Sequence, residues 1–411
     1  MAKFELGKIT KKIGSGFTPK GGKSTYCSKG IAFVRSQNIL DMQFSKDGLV
    51  YISDKQAAKL KNASIESDDV LLNITGDSVA RACIMDSKYL PARVNQHVSI
   101  IRCDPNKIKS QYLLYYLQYL KKHLLKMASV GSTRKALTKE EISGLLVELP
   151  SIEKQKEITL LLESVRHKMQ INRQINDNLA AMIKTIYEYW FIQFEFPDEN
   201  GKPYKSSGGK MVWNEQLKRE IPDSWRTEKL LNIVSWESNS QPPKSEFIYS
   251  PKDGYVRFIQ NRDYENDSYK TYIPLTNNLS TVNRFDILID KYGDAGVVRY
   301  GIEGAFNVAL GKINVLYPNC QEYVRSFLES DGIYSYLHNS CMASTRASLN
   351  ESNLDMLNIV IPDENSLLRY QEDIHQIRET ILLNNSENQN LISLRDWLLP
   401  MLMNGQATIE D

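Results

Sequence analysis

The chain has 411 residues, room for two or three domains of ordinary size, with 42% apolar and 24% charged residues, the balance of a globular, soluble protein. Its five cysteines are odd in number and form no C-x-x-C pair, which excludes a disulfide framework and a cysteine-rich zinc site and fits a reducing cytoplasm. Net charge is only +2, but residues 1–150 hold 24 basic against 13 acidic side chains (net +11), and residues 222–362 hold 13 against 17 (net −4). A basic first module suits attraction to phosphate; the second module lacks that bulk charge.

The N-terminus, Met1-Ala2-Lys3-Phe4-Glu5, has no apolar signal core. Residues 1–150 read as short strands, turns and one helix. Residues 69–74 (Asp-Val-Leu-Leu-Asn-Ile) form a strand that ends at Gly76-Asp77, and residues 98–102 form another. Residues 111–127 have helical periodicity through Leu113, Leu117, Leu120 and Leu124. From about Ile158, apolar or Asn residues recur three, four or seven apart: Leu162, Val165, Met169, Asn172, Asn176, Leu179, Met182 and Ile186. That is an a/d-like seam on one helix of roughly 35–40 residues. The most apolar stretch, residues 180–194, is broken by Lys184 and Glu188, so no membrane span is expected. Residues 197–221 are polar and rich in Pro, Gly and Ser, and read as a surface connection.

The remainder restates the first part. Strands are expected at residues 285–289 and 312–316, and a helix around residues 323–337. A second seam runs through Ile374, Ile377, Ile381, Asn384, Asn388, Leu391, Leu394 and Leu398, offset by 212 residues from the first. Over the whole chain the offset is about 212–224 residues. Pro19 precedes Gly30 as Pro243 precedes Gly254, and Asp69 precedes Gly76-Asp77 as Asp286 precedes Gly293-Asp294. Ser132-Thr133-Arg134 matches Ser344-Thr345-Arg346. A repeat this long is a duplicated module, since solenoid periods are roughly 20–50 residues. Both seams carry Asn at the same two places. A buried Asn is satisfied only by a polar partner in register, so the two helices are expected to pair with each other.

Gly16 to Ser24 looks like a phosphate loop but is one residue too long, is interrupted by Pro19, and loses its glycines in the second copy; it reads as a turn-rich surface loop. Gln241-Pro242-Pro243-Lys244 differs from the amino-methyltransferase tetrad at both its amide and its aromatic position, so no catalytic residue is expected. The five histidines make no ligand pattern, and no metal site is expected. What remains are polar clusters at equivalent loops. The first is Arg35, Gln37 and Asn38 against Gln260, Arg262 and Asp263. The second is Gly76, Asp77 and Arg81 against Lys291, Gly293 and Asp294. The third is Thr133, Arg134 and Lys135 against Thr345 and Arg346. Arg, Gln and Asn make bidentate contacts to base edges in the major groove. Kept residues suit backbone shape or phosphate, and changed ones suit readout of different bases.

In this order the motifs resemble the DNA-specificity subunit of type I restriction–modification systems. The resemblance rests on the Gly-Ser-Thr-Arg loop followed by Leu149-Pro150, on Tyr189-Trp190-Phe191 running into Phe196-Pro197-Asp198, on Ile221-Pro222-Asp223-Ser224-Trp225, and on residues 394–400 before Asn404-Gly405. It implies an α+β fold: two similar α/β target-recognition domains separated by two long antiparallel, coiled-coil-like helices, pseudo-twofold from a direct repeat. The expected layout is a target-recognition domain at 1–150, a spacer helix at 151–196, a linker at 197–221, a second such domain at 222–362, and a second helix and tail at 363–411. The resemblance further implies double-stranded DNA, two methylation subunits and two restriction subunits as partners, and a cytoplasmic location. S-adenosylmethionine, ATP and magnesium are expected on the partners, with no cofactor and no catalysis on this chain. The chain departs from the family in its acidic second module. Two other readings stay open on the residues alone: a coiled-coil scaffold or nucleic-acid-binding protein of another defence system, and a nucleotide-dependent enzyme.

Overall fold

The computed structural model describes residues 2–129, 135–265, 269–342 and 348–407, apart from the Lys23 side chain. The chain divides into two units. Unit 1 joins Met1–Ile171 to Glu387–Asp411, and unit 2 is Asn172–Ser386.

Unit 1 contains two four-stranded sheets. The first is antiparallel, in the order Thr10–Ser15, Val98–Cys103, Val70–Asn73, Ala82–Ile84. The second runs Val50–Ile52, Ile31–Val34, Ala92–Val94, Ser64–Ile65, and is parallel only between its two central strands. Ala2–Glu5 pairs with Leu146–Leu149. Unit 2 repeats all three arrangements. Its first sheet is Val234–Ser238, Leu310–Val315, Ile287–Asp290, Val298–Arg299. Its second is Tyr272–Pro274, Tyr255–Ile259, Gly304–Phe306, Thr281–Val282, again parallel only at the centre. Arg226–Lys229 pairs with Asn358–Ile361. We label Val70–Asn73 β1 and Ile287–Asp290 β2. Every residue of both is buried, as their near-continuous apolar runs require.

Each helix expected after these sheets is two helices. Ser110–Tyr119 and Lys121–Ala128 break at Leu120, and Gln321–Glu329 and Asp331–Met342 break at Ser330, whose backbone is extended. Periodicity alone misses such breaks because the apolar face continues across them.

The two long helices are α1, Ile152–Tyr187 (36 residues), and α2, Glu364–Met403 (40 residues). A π-helical turn, Glu188–Ile192, follows α1. Both helices contribute residues to both units. Within unit 2 they are antiparallel: Asn176 exchanges side-chain hydrogen bonds with Asn384 (2.8 Å) and Asn385 (2.9 Å), while Trp190 meets Tyr370 (5.6 Å between ring centroids). Within unit 1, Lys168 pairs with Glu387 at 3.1 Å, and Ile158 and Leu162 share a core with Leu402 and Met403. Most of the expected seam is inward, but Met182 and Leu394 are 50% and 42% exposed. In the first helix Ile183, one residue on, takes the buried place, because the helix turns by slightly more than 3.5 residues and the seam drifts.

The connection at 197–221 is folded and not merely a surface tether. It contains an antiparallel hairpin, Met211–Asn214 with Arg219–Pro222. Buried Phe196 stacks on Tyr204 and on Trp225, each at 4.6 Å. Pro, Gly and Ser mark its turns, while Tyr204, Met211, Val212, Leu217 and Ile221 pack it against the core of unit 2.

Unit 2 also encloses an ionic cluster. Glu322 and Arg325 are fully buried on one turn of helix, with Arg325 Nη1 donating to both Glu322 oxygens at 2.7 and 2.6 Å. Arg378 of α2 brings its Nε within 2.7 Å of Glu322 and its Nη2 within 2.7 Å of Glu329. Both guanidinium carbons lie 4.9 Å from the Tyr300 ring centre. Burial works against the charge on Arg378, but Glu329, Tyr300 and Glu322 outweigh it and hold its pKa above the usual value. Among the described residues, no helix is long and apolar enough to cross a membrane.

Candidate nucleic-acid interface

In unit 1 a series of backbone bonds gathers five loops. The Gly16 N–H donates to the Asn95 carbonyl (3.1 Å), and the Asn95 N–H to Val34 (3.1 Å). The Ile74 N–H reaches His97 (3.0 Å), and the Leu137 N–H reaches Ile74 (2.8 Å). The Gly76 N–H donates to the Lys135 carbonyl at 3.0 Å. The Arg35–Asn38 turn, the Gly76-Asp77 turn and Lys135 therefore belong to one set of linked loops. Unit 2 reproduces three of these links: the Asn307 N–H donates to Ile259 (3.0 Å), the Lys291 N–H to Ala309 (2.8 Å), and the Leu349 N–H to Lys291 (3.0 Å). Gly76 (φ 75°) and Gly293 (φ 72°) hold the same left-handed turn position, which explains why glycine recurs there. Gly16 is needed for another reason: a Cβ on it would lie 1.9 Å from the Val94 carbonyl oxygen.

The first cluster divides into frame and face. Asn38 is fully buried. Its Oδ1 accepts from the Arg35 N–H (3.1 Å), and its Nδ2 donates to the Ser45 and Asp47 carbonyls (3.1 Å each). Asp263 is equally buried and accepts from the Gln260 N–H at 3.0 Å. The expectation that Asn38 and Asp263 read bases is therefore corrected: both are buried, Asn38 with its amide closing its own turn and Asp263 with Oδ2 doing the same. Gln37 and Arg262 are exposed, and Arg35 and Gln260 half-buried. Arg35 donates to the Gly48 carbonyl at 2.5 Å and lies 5.4 Å from the Tyr26 ring centre. Gln260 donates to Thr271 Oγ1 at 3.1 Å, and Arg262 reaches the same oxygen at 3.4 Å. Capping geometry is thus constant between units, while the outward residues differ.

In the second cluster Asp77, Gly76, Gly293 and Asp294 are exposed, and Arg81 and Lys291 half-buried. In the third, Lys135 is exposed; Thr133, Arg134, Thr345 and Arg346 lie outside the described residues. Residues beyond these clusters join the same loops. Thr18 Oγ1 donates to Gln96 Oε1 at 2.6 Å, Thr75 Oγ1 lies 2.6 Å from His97 Nδ1, and Phe17 is half exposed. For Phe17 and Thr18 the sequence signal was the loop at Gly16–Ser24, which has the glycines of a tight approach and an aromatic residue beside them.

Behind the turns of unit 2, Asp290 accepts two hydrogen bonds from Arg299, at 3.1 and 2.8 Å. Burial pushes the Asp290 carboxyl above its usual range. Burial also opposes the charge of Arg299, but the bond to Asp290 keeps the guanidinium above its ordinary value.

Replacing Lys135 with Ala removes a charge and leaves the backbone bond to Gly76 intact. Affinity for any duplex is expected to fall uniformly, and the slope of log K against log salt to shrink by about 0.9. Anisotropy titrations between about 50 and 200 mM salt check this; an unchanged slope would exclude a phosphate contact.

Residues 1–181 match the family described as "Type I restriction modification DNA specificity domain". The MjaIX specificity subunit of a type I restriction enzyme from Methanocaldococcus jannaschii is 26% identical over 326 residues, 74% of this chain and 70% of that one. The HindI specificity subunit from Haemophilus influenzae is 20% identical over 98% of each chain. Among solved structures, the S subunit of a type I restriction–modification system from M. genitalium has the same fold, with a TM-score of 0.59 at 13% identity over 98% of this chain and 96% of that one.

Proposed function

We propose that this chain is a type I restriction–modification specificity subunit, as its similarity to such subunits supports, and that it reads a split DNA target with one half assigned to each unit. The observation that carries the division is the first cluster. Two turns share one buried frame, Asn38 in one and Asp263 in the other, and present different outward residues, Arg35 and Gln37 against Gln260 and Arg262. A constant frame with exchanged faces suits two similar modules that recognise different bases. Lys135, Asp77, Arg81, Lys291 and Asp294, on the neighbouring loops, would then fix the duplex in register. Thr133, Arg134, Thr345 and Arg346 are proposed to extend the same surface.

The chain itself supplies recognition and assembly. S-adenosylmethionine, ATP and magnesium belong, on this reading, to two methylation and two restriction subunits that bind it in the cytoplasm. The faces of α1 and α2 turned away from their shared seam are the proposed docks. Pure chain that moved labelled methyl groups to DNA without a partner would refute the division of labour.

The deciding experiment assembles the chain with its methylation subunit and maps methylated adenines at base resolution. A bipartite target is expected. Arg262→Ala is expected to relax the second half alone, with a loss of about 1–3 kcal/mol of discrimination. A change at the first half instead would show that the modules are wrongly assigned.

A further inference from the structure

We propose that Asn73 in unit 1 and Asp290 in unit 2 are positioning residues that couple two recognition loops to each other, by opposite chemistry. The inference rests on the specificity reading above and goes beyond it, because neither residue belongs to the outward clusters. Asn73 ends β1 and Asp290 ends β2, and both are buried. Their backbones do the same work. The Asn73 N–H donates to Arg81 (2.8 Å) and its carbonyl accepts from Ala80 (2.9 Å), closing the loop that carries Gly76-Asp77. The Asp290 N–H donates to Val297 (2.9 Å) and its carbonyl accepts from Gly296 (2.9 Å), closing the loop that carries Gly293-Asp294.

Their side chains reach the other recognition turn. Asn73 Nδ2 donates to the Ser36 carbonyl at 2.9 Å and points toward Ile39 O at 3.5 Å. These two carbonyls bracket Gln37 and require a donor at this position. They also fix the amide's orientation, because a flipped amide would set oxygen against oxygen. In unit 2 the same position is an acceptor. Asp290 Oδ2 holds Arg299, whose guanidinium carbon lies 5.4 Å from the ring centre of Tyr264, in the turn Asn261–Tyr264 that carries Arg262. One unit ties its turn by an amide donor to backbone, the other by a carboxylate that anchors an arginine against an aromatic ring. In each unit a single interior residue sets the spacing between the two loops that would meet DNA, and a shift of either loop displaces the contacts of both.

The test uses the full chain assembled with its methylation subunit and two substitutions, Asn73→Ser and Asp290→Asn. Serine is too short to reach Ser36, and asparagine removes the charge that holds Arg299. Asn73→Ser is expected to lower discrimination at the first half-site about tenfold, the size of one misplaced base contact. Asp290→Asn is expected to do the same at the second. Each lowers the thermal midpoint somewhat, since a buried partner is lost, but should leave the other half-site and the affinity for random duplex unchanged. A merely structural residue would lower the midpoint and leave discrimination intact, and that result overturns the proposal, as does an equal loss at both halves. If Asn73→Ser fails to assemble, Asp290→Asn decides by itself. Wild-type complex that methylates no bipartite target would refute the specificity reading and the coupling together, whereas a selective wild type with unaltered variants sinks the coupling alone.

Discussion

Replacing Glu322 with Gln is expected to destabilise unit 2 by about 3–5 kcal/mol, the usual result of removing one partner from a buried ion pair. Glu322 accepts from Arg325 on both oxygens and is ion-paired with Arg378, and it has no exposure to water. Glutamine offers one acceptor oxygen and no charge. Arg325 would then be buried with its nearest counterion gone, and Arg378 would keep only Glu329. Burial already lowers the pKa of Arg325, partly offset by Glu322, but a guanidinium does not lose its proton at neutral pH, so the cost falls on folding. Urea unfolding of the full chain, followed by the fluorescence of unit 2's Trp190 and Trp225, should show a transition at markedly lower denaturant. The paired change Glu322→Leu with Arg325→Met should be far milder, because it removes charge and countercharge together. A double variant as unstable as the single one would mean that packing, and not the unpaired charge, sets the loss.

Inserting four residues after Asn178 is expected to lengthen the preferred gap between half-sites by about one or two base pairs. One added helical turn is about 5.4 Å, against about 3.4 Å per base pair along each strand. The argument starts from continuity: α1 runs unbroken from residues of unit 1 into residues of unit 2. The helix is about 54 Å long, and its rise per residue is fixed by its backbone hydrogen bonds. The residues that present the base-reading turns lie far from the insertion in sequence, so both half-site sequences should survive. Base-resolution mapping of methylated adenines reads gap and half-sites in one measurement. A folded, partner-bound insertion variant that still prefers the original gap would refute the idea that the helices set it.

Much of this architecture was legible because it was written twice. The recurrence of Asp69 with Gly76 as Asp286 with Gly293 announced two like sheets. The Asn residues of both seams announced paired helices, and Asn176 does bond to Asn384. The distinction between frame and face was not legible. Asn38 and Asp263 have the side chains of base readers, and only the fold reveals that both are buried and cap their own turns. Glu322 and Arg325, three apart on a helix, look like an exposed pair; burial depends on what α2 brings against them. The roles of Asn73 and Asp290 are not legible in the sequence because their partners are 34–37 and 9 positions away. The connection at 197–221 lies at the surface as its polar turns imply, but its hairpin was not legible because few apolar residues anchor it.

The membership of unit 1 also bears on how the protein is made. Unit 2 is one continuous stretch, but unit 1 draws its core from both ends of the chain: Ile158 and Leu162 close against Leu402 and Met403. On the ribosome, the part of unit 1 translated first must wait, with that apolar face uncovered, while all 215 residues of 172–386 are added. Unit 2 can complete its core before unit 1 does, although it is translated later, since contacts this distant in sequence form only after a long loop is closed. The order of folding thus inverts the order of synthesis, and the interval between them is when the nascent chain is most open to a chaperone or to misassembly.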